Sequence, residues 1–170
     1  LYNGKRLNSL ERVASIAKQL DSIEAIVVCD HIGTKVDLSA LNAVVPNKAM
    51  HWDDFVDASA SEIDFVDCNF SDPLYIMYSS GTTGVPKCIV HSVGGTLLQH
   101  NKEHLLHTNV SRGDVLFYFT TCGWMMWNWL VSGLALGCSV VLYDGSPFKT
   151  PSILMDMAQN EACLLYTSPS

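Results

Sequence analysis

Near the start of the chain, apolar residues recur at the spacing of a helix face, and a short β-branched run follows them. The recurring positions are Leu10, Val13, Ile16, Ala17 and Leu20. Asn8, followed three residues later by Glu11, is typical of a capping box at a helix start. Residues 24–30, EAIVVCD, form the β-branched run. The pattern predicts a helix and then a buried strand.

The pattern is irregular over residues 31–72 and sharp from residue 74 onward. The irregular part predicts mostly connecting structure, with a short helix at 51–56. Beyond it, four apolar runs predict interior strands: LYIMY at 74–78, CIVH at 88–91, VLFYF at 115–119 and CSVVLY at 138–143. Helices are expected at 96–107, at 125–136, and from Pro151, at a first helical position, to 161.

Strands that alternate with helices in this way indicate an α/β fold. The apolar runs carry few polar positions, which is typical of strands buried on both faces of parallel sheets. We therefore expect layered, partly parallel sheets with flanking helices.

Composition and charge exclude several classes of protein. Of 170 residues, 48% are apolar and 16% are charged, so a packed core is expected and a disordered chain is not. The formal net charge of -7 disfavours nucleic acid as a partner. The six cysteines form no CxxC pair and no short disulfide framework, and nothing marks a secretory signal. A reduced, cytoplasmic setting is the expectation.

The chemistry is concentrated in residues 75–91, YIMYSSGTTGVPKCIVH. Gly81 and Gly84 let backbone amides approach an anion closely, because neither carries a Cβ. Hydroxyl donors and one ammonium surround them, at Ser79, Ser80, Thr82, Thr83 and Lys87. This assembly suits a polyphosphate, although a polar surface turn would have a similar composition. The spacing does not match the P-loop pattern GxxxxGK[ST].

Two other patterns suggest different classes of protein. Residues 115–143 contain no charge and exceed the length of about 20 residues that crosses a bilayer. Glycines, polar residues and acidic borders argue against a span, so we expect no membrane crossing and favour a buried strand, helix and strand. His100 and His104 match HxxEH, an inverted zinc-peptidase motif, but a solvated helix face is the simpler interpretation. No metal site is predicted.

The string SSGTTGVPK resembles the phosphate-binding motif of the adenylate-forming superfamily. His91 with the following SVGGTL, and residues 117–147, resemble the acetoacetyl-CoA synthetases (acetoacetate-CoA ligases) within it. The resemblance covers residues 2–162 and is densest over 72–147. Cys88 departs from the broad superfamily, in which many members have glycine after the lysine, but it matches the acetoacetate group.

This resemblance implies part of the large N-terminal domain of an adenylate-forming enzyme. The implied reaction is ATP-dependent ligation of acetoacetate to coenzyme A through an acyl-adenylate, with Mg²⁺ assisting; another short-chain acid is the alternative substrate. It assigns ATP phosphate contacts to Ser79, Ser80, Gly81, Thr82, Thr83, Gly84 and Lys87. The family's catalytic lysine is expected in a C-terminal domain outside this chain. We therefore place no catalytic residue here and expect the segment alone to be inactive.

The aligned segment of related short-chain acyl-CoA synthetases walls the acyl pocket. The resemblance therefore makes Trp124, Met125 and Met126 candidates for contacting acetoacetate, because bulky side chains could shorten the slot for a small acid. Core packing is the alternative for each of them, since Met and aromatic residues at helical spacing usually serve it. For His91 a strand-end histidine with a satisfied ring is the favoured interpretation, and a place in the site is the alternative.

Residues 163–170, CLLYTSPS, resemble the translated read-through of a sequencing adapter. We interpret residues 1–162 as part of the N-terminal domain and residues 163–170 as a non-native tail. The alternative is a short strand at 164–167 followed by a Ser-Pro turn.

Overall fold

The computed structural model describes residues 5–46, 48–79 and 84–165. It divides the chain into two compact units, Leu1–Asp64 and Phe65–Ser170.

The first unit packs short helices against a two-stranded parallel sheet. Its elements are α1 (Leu10–Ala17), β1 (Ile26–Val28), α2 (Ser39–Val44), β2 (Ala49–His51) and α3 (Trp52–Phe55). β1 and β2 pair in parallel, with Ile26 opposite Ala49. The core forms around Ala17, Leu41 and Val45, against which the apolar face of α1 packs.

Most predictions for this unit are confirmed in type, and two are wrong. α1, β1 and α3 lie where the pattern predicts them, whereas α2 and β2 fall in the stretch expected to be connecting structure. These two elements have six and three residues, too few for an apolar period to repeat. Leu41 is only 1% exposed and packs α2 against the core. The helix is therefore stabilised by tertiary contacts and not by a local sequence pattern.

The predicted capping box does not form at α1. The N-cap residue is Ser9, whose side chain makes no capping hydrogen bond. Asn8 lies one residue earlier, and its Oδ1 accepts a hydrogen bond from the Leu10 amide at 3.0 Å. The helix also ends before Leu20, whose amide donates to the Ala17 carbonyl in a tighter final turn. Asn8 therefore turns the chain into the helix without capping it.

The second unit begins with an antiparallel hairpin and a helix that follows it directly. β3 (Pro73–Ser79) pairs with β4 (Lys87–Ser92), and α4 (Val93–Lys102) begins at the next residue. The Ser92 hydroxyl caps α4 by accepting a hydrogen bond from the Gly95 amide at 3.2 Å. A π-helical turn, Glu103–His107, continues α4. The expected helix at 96–107 is thus confirmed, with its start three residues earlier.

A three-stranded parallel sheet forms the rest of this unit. It comprises β5 (Val115–Phe117) in the centre, β6 (Ser139–Val141) on one side and β7 (Leu164–Leu165) on the other. Between β5 and β6 runs α5 (Met125–Ser132) with a 3₁₀ turn, Gly133–Leu136, and α6 (Ile153–Asn160) precedes β7. The mixture of parallel sheets, an antiparallel hairpin and helices confirms the predicted α/β class.

The core of the second unit lies between the sheet and α5. Leu116 and Leu130 are almost completely buried, and Tyr118, Trp129 and Cys138 complete the cluster. This burial explains the uncharged stretch at 115–143, which forms β5, α5, the 3₁₀ turn and β6. Within the described ranges, no helix has both the length and the apolar character that a membrane crossing requires.

Near the C-terminal end, the start of α6 differs from the prediction, and a short strand forms within residues 163–170. Pro151 precedes α6, whose N-cap is Ser152, so its predicted place at the first helical position is wrong by two residues. β7 pairs in parallel with β5, Leu164 opposite Leu116. Residues 166–170 lie outside the described ranges, and the non-native origin of residues 163–170 stays a prediction.

The two faces of β3 differ in their exposure. Side chains alternate along a strand, and in β3 the inner-face residues Tyr75, Met77 and Ser79 are half-buried. The outer face of the hairpin is exposed and mostly apolar, with Ile76, Tyr78 and Val90 between 59% and 70% exposed. The inner face of β3 therefore faces helices α4 and α5, and Ser79 is its last residue.

Candidate functional site

The glycine-rich loop connects the two strands of the hairpin. Ser79 is the last residue of β3, and its cross-strand partner Lys87 is the first residue of β4. Directly opposed residues in an antiparallel pair extend to the same face, with Cβ atoms about 5 Å apart. The hydroxyl and the ammonium therefore flank the two ends of the loop. Ser80, Gly81, Thr82 and Thr83 lie outside the described residues.

Gly84 has a backbone conformation that requires glycine. Its φ is +100°, in the region that side chains with a Cβ rarely adopt, and among the described residues no atom beyond its chain neighbours lies within 4 Å of where a Cβ would be. The requirement is therefore conformational and not steric. The neighbouring Val85 is 86% exposed, so this side of the loop is open to solvent. An open loop with a left-handed glycine can present amides to an anion.

A small cavity of about 30 Å³ lies between the inner face of the hairpin and helices α4 and α5. Its lining combines apolar and polar side chains from four elements: Tyr75, Met77, His91, Thr96, His100, Met125 and Asn128. Because Tyr75 and Met77 share the β3 face with Ser79, the cavity and the loop lie along the same strand surface. Tyr75 and Ser79 are four positions apart along the strand, a span of about 13 Å.

The structure separates the three acyl-pocket candidates. Met125, the first residue of α5, lines the cavity and is 48% exposed. Met126 packs against the core cluster that includes Leu130. Trp124 occupies the N-cap position of α5 and is 65% exposed. Of the three, only Met125 is in the described cavity lining.

Sequence reasoning missed Thr96 and Asn128 and favoured a place outside the site for His91. His91 pairs with Tyr75 across the hairpin and lines the cavity. Asn128 lies one helical turn after Met125, and its Nδ2 contacts the Met77 sulfur at 3.6 Å. The signal that could have found Asn128 was its i, i+3 spacing from Met125, which places both on one helix face.

Thr96 has an unusual environment in α4. It is 8% exposed, and its hydroxyl is buried with no hydrogen-bond partner in the described structure. Buried hydroxyls normally find a partner, and a helical threonine often uses the carbonyl one turn earlier. The Thr96 hydroxyl instead stays free to bond beside the cavity that the residue lines.

A hydrogen-bonded network ties α4 to α5 behind the cavity. The Ser132 hydroxyl donates to the Trp129 carbonyl at 2.6 Å, so its oxygen is left to accept from other groups. His100 Nδ1 lies 3.0 Å from that oxygen, and His104 Nε2 lies 2.9 Å from the Trp129 carbonyl. Both ring nitrogens are therefore donors, because their partners can only accept.

Burial lowers the pKa of both histidines below the ordinary value. For His100, loss of solvation is the main cause, and the nearby His104 and His91 lower its pKa further while Glu103 opposes them. For His104, burial again dominates, and the hydrogen bond to the Trp129 carbonyl opposes it. Both rings are therefore expected to be neutral at pH 7, which fits the tautomers of the network.

The zinc-peptidase interpretation of His100 and His104 finds no support. His104 is fully buried, and its ring stacks on Trp129 with centroids 4.3 Å apart. Over the described ranges, no cluster of three or more His, Cys, Asp or Glu residues could hold a metal ion. The HxxEH spacing therefore reflects helix packing.

A second cavity of about 190 Å³ shares three lining residues with the first. Tyr75, Thr96 and His100 belong to both, and the larger cavity continues along α4 past Leu97 to Ala135. None of Trp124, Met125 and Met126 lines it. The smaller cavity is therefore the one that connects with an acyl-pocket candidate.

The chain is similar to known proteins of one enzyme family. The family model described as "AMP-binding enzyme" matches residues 4–170. The chain is 49% identical over 164 residues to acetoacetyl-CoA synthetase from Gallus gallus, covering 92% of this chain and 24% of that protein. It is 47% identical over 151 residues to malonamoyl-CoA synthetase vrtB from Penicillium aethiopicum, covering 87% and 21%.

The structure of acetoacetyl-CoA synthetase from Streptomyces lividans superposes with a TM-score of 0.84 at 37% identity. The match covers 99% of this chain and 25% of that one. The chain thus spans about a quarter of the length of the relatives it matches.

Proposed function

Because the chain belongs to the AMP-binding enzyme family, we propose that its full-length protein is an acid-thiol ligase that joins acetoacetate to coenzyme A at the expense of ATP. The observation that carries the proposal is the hairpin that brings Ser79 and Lys87 together across a glycine and hydroxyl loop, beside a small cavity. Similarity to acetoacetyl-CoA synthetases from animals and bacteria supports the choice of acid.

The reaction has two steps, and both balance. A carboxylate oxygen of acetoacetate attacks the α-phosphorus of ATP, the bond to the bridging oxygen breaks, and pyrophosphate leaves. The thiol sulfur of coenzyme A then attacks the acyl carbon, AMP leaves with the electron pair of the broken bond, and the thiol proton is released. The first step brings two anions together, so the site must hold and neutralise the triphosphate.

The loop is suited to that task by its donors. We assign phosphate contacts to Ser79, Ser80, Gly81, Thr82, Thr83, Gly84 and Lys87. Backbone amides and hydroxyls can follow the phosphate oxygens, and the Lys87 ammonium supplies a compact positive charge. The left-handed φ of Gly84 and the cross-strand position of Lys87 support this assignment.

Mg²⁺ is part of the proposal as a partner of the nucleotide. Mg²⁺ commonly binds through substrate phosphates with few protein ligands, and the hydroxyl-rich loop with no described acidic cluster fits that mode. When bound, the ion would neutralise phosphate charge. Ser79 could contact its hydration shell, while Lys87 orients the triphosphate.

The acid is proposed to lie along the inner face of β3, with Met125 closing the pocket. Acetoacetate and malonamate, the acids in the names of the two relatives, are both short and both carry a carbonyl at C3. A small slot with polar lining suits such acids better than a long apolar tunnel would. Trp124 and Met126 remain candidate contacts in the same segment.

Setting and partners complete the proposal. ATP, acetoacetate and coenzyme A are the expected small-molecule partners, and nucleic acid is not. A cytoplasmic location is supported by the cysteines, all six of which are free and four of which are exposed. Thiols of this kind are typical of reducing compartments.

Acid-dependent exchange of pyrophosphate into ATP, measured on the full-length protein, tests the proposal. Acetoacetate should support exchange better than acetate, propionate or 3-hydroxybutyrate, and product analysis should find acetoacetyl-CoA when coenzyme A is added. Exchange that is absent with acetoacetate but present with another acid would reject the choice of substrate. Absence with every acid would reject the ligase assignment itself.

A further inference from the structure

We propose that Thr96 is a specificity residue whose hydroxyl donates a hydrogen bond to the C3 carbonyl oxygen of the acid. This inference rests on the proposed function, since it requires that the acid occupy the pocket beside Met125. It concerns a residue of α4, outside both the phosphate-binding loop and the segment at 124–126.

The first step of the argument is the state of the hydroxyl. Thr96 is 8% exposed, its Oγ1 is buried, and no partner for that atom exists in the described structure. A polar group that is buried without a partner loses its hydration and gains nothing in return. A ligand that accepts a hydrogen bond from this hydroxyl would remove the cost of burying it. Thr96 lines the cavity in which such a ligand could lie.

The second step is the size and position of the cavity. Its volume of about 30 Å³ exceeds the 10–15 Å³ that one water-sized group needs, but it is too small for a whole four-carbon acid. It therefore suits one oxygen atom and its carbon, with the remainder of the acid outside. The strand face that carries Tyr75 and Met77 leads from this cavity to Ser79, so a carboxylate would extend toward the loop.

The third step is the balance of donors and acceptors. The Thr96 hydroxyl can donate, and Asn128 Nδ2 has a donor that now makes only a 3.6 Å contact to the Met77 sulfur. The His100 Nδ1 proton is directed to Ser132, and burial keeps the ring neutral. The described lining thus offers the Thr96 hydroxyl and the Asn128 amide as donors. Tyr75 and His91 add further polar groups, and the lining contains no Lys or Arg. A carbonyl oxygen, which only accepts, matches this set, and a methylene group does not.

Comparison of acetoacetate with butyrate, which has the same carbon chain but no C3 carbonyl, isolates this hydrogen bond. We would measure kcat/KM for both acids by pyrophosphate exchange on full-length wild type, Thr96→Val and Thr96→Ser. Thr96→Val replaces the hydroxyl by a methyl group of similar size. It should lower kcat/KM for acetoacetate about 10- to 100-fold and change that for butyrate less than about twofold. Thr96→Ser should keep most of the preference for acetoacetate.

Thermal unfolding supplies an independent readout. Because Thr96→Val removes a buried hydroxyl that lacks a partner in the described part of the chain, its Tm should equal or exceed that of wild type. A variant that keeps its Tm and loses its preference for acetoacetate supports the role in specificity. If Thr96→Val instead lowers kcat/KM for both acids equally, or leaves their ratio unchanged, the inference is wrong and the hydroxyl is only a packing or water-binding group.

Failure of this inference is distinguishable from failure of the proposed function. Wild type that does not activate acetoacetate overturns the function, whatever Thr96 does. Wild type that activates acetoacetate and butyrate equally well overturns the inference alone, without any variant. Asn128→Leu gives a second test of the donor set, and it should reduce the same ratio.

Discussion

Ser79 and Lys87 face each other at the loop end of hairpin β3–β4. Since opposed residues of an antiparallel pair share a face, the Lys87 side chain leaves β4 on the same side as Ser79, Met77 and Tyr75. The exposed ammonium can therefore reach an anion that lies on the inner face of β3. This pairing places the cavity and the two residues that flank the loop on one face of the hairpin, which is the face that a nucleotide would use under the proposed function.

Replacing Lys87 by alanine should weaken handling of ATP. Loss of one charge-assisted contact costs about 1.5–3 kcal/mol, which corresponds to a fall of roughly 10- to 100-fold in kcat/KM for ATP. Acid-dependent pyrophosphate exchange by the full-length protein measures it. Lys102→Ala, which removes an exposed lysine from the end of α4, is the matched control and should leave exchange unchanged. Equal rates for Lys87→Ala and wild type would contradict the phosphate role.

Met125 and Met126 should behave differently although they are adjacent. Met125→Ala opens the cavity and should raise the preference for 3-oxohexanoate over acetoacetate by about tenfold, with little change in Tm, because this side chain is 48% exposed. Met126→Ala removes a side chain packed on the core and should reduce the free energy of unfolding by about 2 kcal/mol. Selectivity profiles and thermal unfolding of the two variants separate these effects. The reverse outcome would assign the pocket to Met126.

Gly133 provides a test of the core of the second unit. A Cβ at this position would lie 2.8 Å from Leu116 Cδ2 and 3.1 Å from Cys138 Sγ, and both residues are buried. Gly133→Ala should therefore destabilise the protein by about 1–3 kcal/mol through overpacking. Gly123→Ala is the control, because no described atom lies within 4 Å of the place that its new methyl group would take. Equal Tm values for the two variants would show that the 3₁₀ turn can shift at no cost.

Acid should destabilise the second unit through His100. Burial lowers its folded-state pKa below 6.5, so the unfolded chain binds the proton more readily. Above about pH 6.5 neither state is protonated and the full stability is present; as the pH falls below that value, stability is lost. His100→Gln should flatten the decline in Tm between about pH 7 and about pH 5. A slope for His100→Gln equal to that of wild type would exclude His100 as the cause.

The sequence predicted those elements whose apolar pattern repeats. α1, α4 and α5 were recognised from helical apolar patterns and β3 to β6 from short apolar runs, whereas a strand at β7 was only the alternative to a non-native tail. The SSGTTGVPK string identified the loop by resemblance. α2 and β2 escaped because they are short and are defined by the burial of residues such as Leu41. Their stability comes from contacts with α1 and β1, and a local sequence pattern carries no information about such contacts.

The cavity could be predicted only in part. Met125 was a candidate by resemblance, but its separation from Met126 depends on the rotation of α5 about its axis, which sequence spacing alone does not fix. Thr96 was missed because a lone threonine inside a helix carries no signal until its hydroxyl is seen to lack a partner in the described structure. His100 was noticed for its spacing to His104, and the network with Ser132 gives that spacing a structural reason.

The exposed outer face of the hairpin affects how the protein can be produced. Ile76, Tyr78 and Val90 together form an exposed apolar sheet surface that favours association with other molecules. Over the described ranges, the hairpin strands pair only with each other, so their outer edges are also unpaired. Overexpression of these 170 residues alone should therefore yield inclusion bodies or heterogeneous oligomers. Activity measurements should therefore use the full-length polypeptide, in which other parts of the protein can cover that surface.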